Sequence, residues 1–324
     1  MDVFEHLKSQ LSSQDKRIVF PEGEDERIFG AAARLAHDGL LTPILLGNEA
    51  KIKAAAKQDG IDLTGVEIMD PQTYPAADYQ AMHAALLERR HGKNTPEQVD
   101  EMLKDVSYFA TMLVYMGKVD GMVSGAIHST GDTVRPALQI VKTKPGIKRI
   151  SGAFLMQKGD QRYIFADCAI NIELDAPTMA EVAVESAKTA KLFGIDPRVA
   201  MLSFSTKGSA KGEMVTKVAK ATKLAQEADP ELAVDGELQF DAAIVPAVAE
   251  LKAPGSKVAG HANVFVFPSL EAGNIGYKIA QRLGGFEAIG PVLQGLNAPI
   301  ADLSRGCNEE DVYKVALITA AQAL

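Results

Sequence analysis

The sequence has 324 residues, 47% hydrophobic and 23% charged, enough apolar surface to offset chain entropy and to exclude a disordered chain. Its 34 basic and 42 acidic residues give a formal net charge of -8, the opposite of what a nucleic-acid or anionic-membrane binder shows. Two distant cysteines, Cys168 and Cys307, argue against a disulfide framework or structural zinc, and no apolar run reaches the roughly 18 residues of a membrane span.

Arg17–Phe20 reads as a strand closed by Pro21, and Asp25–His37 as a helix with apolar spacing at Ile28, Ala31, Ala32 and Leu35, stopped near Gly39. Leu41–Leu46 is a second strand, and Asn48 can cap the helix after it. This alternation is that of a parallel sheet covered by helices. Helical patterning fills residues 75–117, followed by a strand at Val119–Val123. Ile150–Met156 and Tyr163–Ala169 flank Lys158-Gly159-Asp160-Gln161, which predicts a hairpin and hence an antiparallel part of the sheet. Asp175-Ala176-Pro177 starts a helix that passes Ala183 and Ala190 and stops at Gly194. Beyond it come a strand at Val199–Phe204, a helix at 211–227, a strand at Asn263–Phe267, a helix at 273–283 and a last helix beginning near Asn308. At roughly 100–200 residues per domain the length fits two domains, joined by a sheet crossing or hinge because no flexible linker is present. The start MDVFEHLKSQ lacks the basic and apolar regions of a secretory signal, so a cytoplasmic enzyme is expected.

The sequence contains no GxxxxGK[ST], GxGxxG, GxSxG or HExxH, which leaves Walker-type, dinucleotide, α/β-hydrolase and His-held metal chemistry without support. Three loops remain. Ser203–Glu213 runs from strand to helix, with Ser205, Lys207 and Lys211 beside Gly208 and Gly212, groups able to address an anion. Ser124–Pro136 packs Ser129 and Thr130 around glycines, and Arg135 can neutralise a small oxyanion. The bland reading of His128, a residue satisfying a buried turn, is preferred there. Asp302–Val312 carries Ser304-Arg305-Gly306 before the last helix, suited to an anion or developing oxyanion. Asn308 and Asp311 in that segment are equally well explained as a capping box.

Together the segments IVFPEG-x-DERI, SGAIHSTGDTVRPALQIVKT, ADCAIN at 166–171 and DLSRGCNEEDV resemble the phosphate acetyltransferase (phosphotransacetylase) family, over essentially the whole chain. The resemblance implies an α/β fold of two three-layer domains like those of isocitrate and isopropylmalate dehydrogenases, with a mixed sheet and an interdomain cleft. The expected division is 1–145 with 297–324 as a discontinuous domain I and 146–296 as an inserted domain II. The implied reaction is reversible acetyl transfer between acetyl phosphate and coenzyme A, giving acetyl-CoA and inorganic phosphate, by direct attack in a ternary complex within a homodimer. Coenzyme A is then a substrate, and neither a bound cofactor nor a metal is expected.

Carried over by motif, the resemblance makes Asp311, Ser304 and Arg305 catalytic. It leaves Ser129, Thr130, Arg135, Asn171, Ser205, Lys207 and Lys211 as substrate-binding residues, with Arg89 and Arg90 further candidates for a basic rim facing coenzyme A. A thiol with a pKa near about 8.5 is mostly protonated at neutral pH, so a carboxylate at Asp311 has a proton to take. An aspartate near about 3.9 is a weak base for that task, which leaves positioning of the thiol as its other role. Cys168 and Cys307 are read as packing residues. The alternatives are a phosphate butyryltransferase with a larger acyl pocket, a dehydrogenase on the related fold, and a non-catalytic binder of coenzyme A or acyl phosphate.

Overall fold

A computed structural model describes residues 3–324. The chain divides into two compact units, one running to Pro145 and resuming at Leu296–Leu324, the other Gly146–Gly295. Leu296 falls in the first unit, one residue outside the expected boundary, where it bridges Thr143.

The first unit opens with α1 (Val3–Leu11), whose Val3, Phe4, Leu7 and Leu11 are buried along one face, a helix the sequence reading left unassigned. Then follow β1 (Arg17–Phe20), α2 (Glu26–His37), β2 (Thr42–Leu46), α3 (Glu49–Gln58) and β3 (Glu67–Met69). Asp25 and Asn48 cap α2 and α3, accepting from the N–H groups of Arg27 and Lys51. Gly39, at φ 64°, takes the left-handed turn that lets the chain leave α2. The helical stretch after residue 75 is three helices, α4 (Ala76–Arg90), α5 (Pro96–Lys104) and α6 (Val106–Tyr115), because Thr95 and Asp105 each start a new one. Next come β4 (Gly121–Ser124), α7 (Thr130–Pro136) and a π-helical turn at Ala137–Val141.

The second unit holds β5 (Ser151–Lys158), β6 (Gln161–Ala166), α8 (Ala176–Leu192), β7 (Arg198–Leu202), α9 (Glu213–Ala228), β8 (Ala233–Leu238), α10 (Phe240–Ile244), α11 (Pro246–Lys252), β9 (Val264–Val266), α12 (Leu270–Arg282) and β10 (Glu287–Gln294). Its sheet runs β10-β5-β6-β9-β7-β8 and is mixed: β5 pairs antiparallel with both β6 and β10, and the remaining pairs are parallel. The expected strand at Tyr163–Ala169 ends earlier, at Ala166, because Asp167 turns the chain. Its carboxylate, fully buried, accepts the N–H groups of Gly152, Ala169, Ile170 and Asn171.

Back in the first unit, β11 (Ile300–Asp302) leads into α13 (Glu309–Gln322), capped by Asn308 and buried from Val312 to Ala321 except at Lys314. The sheet here is β11-β4-β1-β2-β3, parallel throughout. Each unit therefore has its own sheet, where the sequence reading allowed a shared one. In a parallel sheet every strand delivers its following loop to the same edge, the edge where open α/β sheets bind ligands. Because β11, β4 and β1 lie side by side, the loops starting at Leu303, Gly125 and Pro21 emerge as neighbours.

Candidate active site

Two charged residues weld these three loops together. Glu22, just past β1, is 4% exposed. Its Oε2 accepts the N–H groups of Gly125 and Ala126 at 3.0 and 2.8 Å, and its Oε1 those of Ile127 and His128 at 2.8 and 2.7 Å. His128 Nδ1 also lies 2.8 Å from Oε1, outside hydrogen-bond alignment. Only glycine fits at 125: φ is 107°, and a Cβ there would sit 2.6 Å from both the nitrogen and the oxygen of Leu303.

Arg27, in the first turn of α2, is the second weld. It pairs with the Asp25 carboxylate and also donates to the carbonyls of Ala126, Arg305 and Cys307 at 2.9, 3.0 and 3.1 Å. The guanidinium holds the Asp25 carboxyl below the usual range, and the pairing in turn drives Arg27 upward, so both stay charged. Neither Glu22 nor Arg27 was given a role from sequence. Both lie in the IVFPEG-x-DERI segment, where four acids and an arginine beside a short buried strand were the visible signal.

On this frame sit Ser304 and Arg305, both exposed. The Ser304 hydroxyl accepts the Gly306 N–H at 3.3 Å and its carbonyl the Cys307 N–H at 2.9 Å, which curls the loop. The Arg305 carbonyl is held by Arg27, while its guanidinium has no hydrogen-bond or ion-pair partner among the described residues. Asp311, in the first turn of α13, takes the Asn308 N–H on Oδ2 at 3.0 Å and leaves Oδ1 uncommitted. The capping box is therefore formed, and it leaves one carboxylate oxygen available.

Across the edge, the Ser129 hydroxyl donates to Asp132 at 2.7 Å and the Thr130 hydroxyl to Asp302 Oδ2 at 2.7 Å. Arg135 is exposed and without an ion-pair partner among the described residues. These groups form an anion-friendly edge: two guanidinium groups unpaired among the described residues and the Ser304 hydroxyl, with the Ser129 and Thr130 hydroxyls already donating to carboxylates, on loops fixed from below. Among the described residues no group of three or more His, Cys, Asp or Glu side chains is arranged to hold a metal.

The remaining expected binding residues lie in the second unit, and the fold occupies most of them. Asn171 is buried, its amide donating to the Ile150 carbonyl at 2.7 Å and to Asp167 at 2.6 Å. Ser205 is fully buried, donating to Glu237 at 2.9 Å and accepting the Ala210 N–H at 3.0 Å. Lys207 forms an ion pair with Asp235. In this structure these three side chains hold loops together. Lys211 alone of this set is exposed and unpaired among the described residues.

Within the first unit Arg89 is also committed: it donates to the carbonyls of Ile140 and Val141 and lies 4.9 Å from the Tyr115 ring centroid, while Arg90 donates to Asn94. Burial pushes both thiols, Cys168 and Cys307, up, which suits packing residues and not nucleophiles.

Residues 2–320 match the family described as phosphate acetyl/butaryl transferase, and the chain belongs to that family. A phosphate acetyltransferase of Staphylococcus epidermidis is 63% identical over 328 residues, covering 100% of this chain and 99% of the relative. The crystal structure of a phosphotransacetylase from Streptococcus pyogenes superposes with a TM-score of 0.96 at 58% identity, over 99% of this chain and 98% of that one. A 4-hydroxythreonine-4-phosphate dehydrogenase structure from Salmonella typhimurium, 15% identical, matches at TM-score 0.56 over 95% of this chain and 100% of its own, a likeness of fold alone.

Proposed function

We infer that this protein is a phosphate acetyltransferase, moving an acetyl group reversibly between acetyl phosphate and coenzyme A. The observation that carries the reading is that Arg27 ties the Arg305 and Cys307 carbonyls to that of Ala126, in the segment Glu22 holds just before Ser129–Arg135, in a chain of this family. Arg305, its guanidinium unpaired among the described residues, binds the phosphoryl group through paired N–H donors, and Arg135 shares its charge. Ser304 donates to the carbonyl oxygen as it becomes an oxyanion, a contact whose loss costs about 10²–10³ in rate elsewhere.

The thiol of coenzyme A attacks the acetyl carbon. The S–C bond forms, the C–O bond to phosphate breaks, and phosphate leaves with the electron pair. The thiol proton passes toward the free Oδ1 of Asp311 or directly to the departing phosphate. Because Oδ2 is tied to the helix start, Asp311 is held in place to position the thiol first and to act as its base second. Coenzyme A is a substrate in this scheme, and no resident cofactor takes part.

A homodimer belongs to the same reading, supported by the exposed Ile275, Ile279 and Leu283 along one face of α12. A cytoplasmic setting belongs to it as well, supported by two free buried thiols. Arsenate-dependent consumption of acetyl-CoA by the purified protein tests the reaction, with butyryl phosphate as a competing acyl donor. Activity absent from the native protein, or unchanged in Arg305→Ala, overturns the assignment of reaction or residue respectively.

A further inference from the structure

Asp302 ends β11 two residues before Ser304, and the chemistry above leaves it unused. It is 2% exposed. Its Oδ2 accepts the Thr130 hydroxyl at 2.7 Å, whereas Oδ1 is buried with no hydrogen-bond partner among the described residues. The hydroxyls of Ser124 and Thr133 are also buried without hydrogen-bond partners among the described residues. Ser124 is the residue paired with Asp302 across β4 and β11, and residues paired this way point to one face of the sheet. Thr133 lies three residues beyond Thr130 on α7, one turn along the same side.

Burial pushes the Asp302 carboxyl above the usual range, against the opposing effect of the Thr130 hydroxyl, with the Glu22 charge adding to the rise. A carboxyl group kept dry and half-satisfied costs stability. A neutral side chain would close this layer more cheaply, so stability does not account for it.

We propose that Asp302 is a positioning residue for acyl transfer, fixing the Thr130 hydroxyl and the start of α7 to the strand that carries Ser304 and Arg305. The two sides of the acyl-phosphate pocket then keep one spacing: Thr130 and Arg135 on α7, Ser304 and Arg305 after β11. A displacement of about 1 Å between groups that share a reacting phosphoryl ester can cost about 10²-fold in rate. The hydrogen bond spans 172 residues of sequence, so no local turn maintains that spacing in its place. The inference rests on the reading that Arg135 and Arg305 face acetyl phosphate.

The test measures kcat and KM for acetyl phosphate and for coenzyme A in Asp302→Ala, Asp302→Asn, Thr130→Val, Thr130→Ser and the Asp302→Ala/Thr130→Val double variant. Asp302→Ala and Thr130→Val each lose about tenfold or more in kcat/KM for acetyl phosphate, while KM for coenzyme A stays within about twofold. Asp302→Asn and Thr130→Ser, which keep an acceptor and a hydroxyl, recover most of that loss. The double variant is no worse than the poorer single one, because both substitutions break one bond. Additive losses, a parallel rise in both KM values, or native kinetics in Thr130→Val overturn the proposal. Should Asp302→Ala fail to fold, the exposed Thr130 pair decides alone. Native activity in Arg305→Ala would instead sink the underlying assignment, whereas an inactive Arg305→Ala beside a native-like Thr130→Val removes only Asp302.

Discussion

Asn308 and Asp311 hold each other. The Asn308 N–H donates to Asp311 Oδ2 at 3.0 Å, and the Asp311 N–H donates to Asn308 Oδ1 at 2.9 Å. One carboxylate thus starts the last helix and faces the proposed chemistry. In Asp311→Asn the amide oxygen can still accept the Asn308 N–H, so the fold survives. Turnover falls by about 10² or more, and Asn308→Ala costs about 1 kcal/mol of stability with a smaller loss of activity. Steady-state assays beside thermal melts separate the two, and a folded Asp311→Asn with native turnover would remove the residue from the mechanism.

Glu22→Gln puts an NH₂ where one carboxylate oxygen now accepts two N–H groups. That leaves a pair of donors in the 125–128 segment facing another donor. Hydrogen bonds to a charged acceptor contribute roughly 1.5–3 kcal/mol each, so a drop of about 2 kcal/mol or more is expected. Amide exchange at residues 125–128 should quicken out of proportion to the rest of the sheet. Unchanged protection there would show that the carboxylate does not organise the loop.

Gly125→Ala meets Leu303 backbone at 2.6 Å in a conformation with φ of 107°, and should cost more than about 3 kcal/mol. Gly159→Ala has φ of 56° and nothing within 4 Å, so a penalty of about 1 kcal/mol is expected. Denaturant melts of the two variants give the comparison, and equal penalties would mean that close approach at 125 does not matter.

For Asp302 the sign of the pH effect follows from burial. Its folded-state pKa lies above that of the unfolded chain, so its contribution to stability is full below the unfolded value and is lost as pH rises through the folded one. Asp302→Asn removes that loss. The variant should melt about 2–4 °C above the native protein near about pH 7.5, and the gap should close toward about pH 4. A gap that is constant across this range would contradict the assignment of the shift to this carboxyl.

Much of the fold was legible in strong local patterns. The hairpin of β5 and β6, the caps at Asn48 and Asn308, and the stops at Gly39 and Gly194 all rest on residues within one turn of one another. The strands missed were of two kinds. β3 and β11 have three residues each, and β8 and β10 carry glycine, proline or charge in their interiors, so periodicity has little to act on. Their strand character comes from neighbours in the sheet, not from their own side chains.

The site divides in the same way. Ser304 and Arg305 are legible because a hydroxyl and a guanidinium beside a glycine are exposed and have little structural use. Glu22 and Arg27 were silent because their partners are main-chain groups 103 and 278 residues away. The internal partners of Ser205 and Lys207 were not legible because Glu237 and Asp235 arrive from β8, a strand the pattern did not reveal.

Glu22 and Asp167 set a rule for where the chain can lengthen. Each carboxylate gathers four backbone amides whose convergence depends on the residue count between them, so a single inserted amino acid at 125–128 or 168–171 would rotate donors out of reach. The turn at Gly159, with open space around it, has no such counting constraint. Insertion scanning should therefore map the two anion-centred loops as rigid in length and the hairpin tip as elastic.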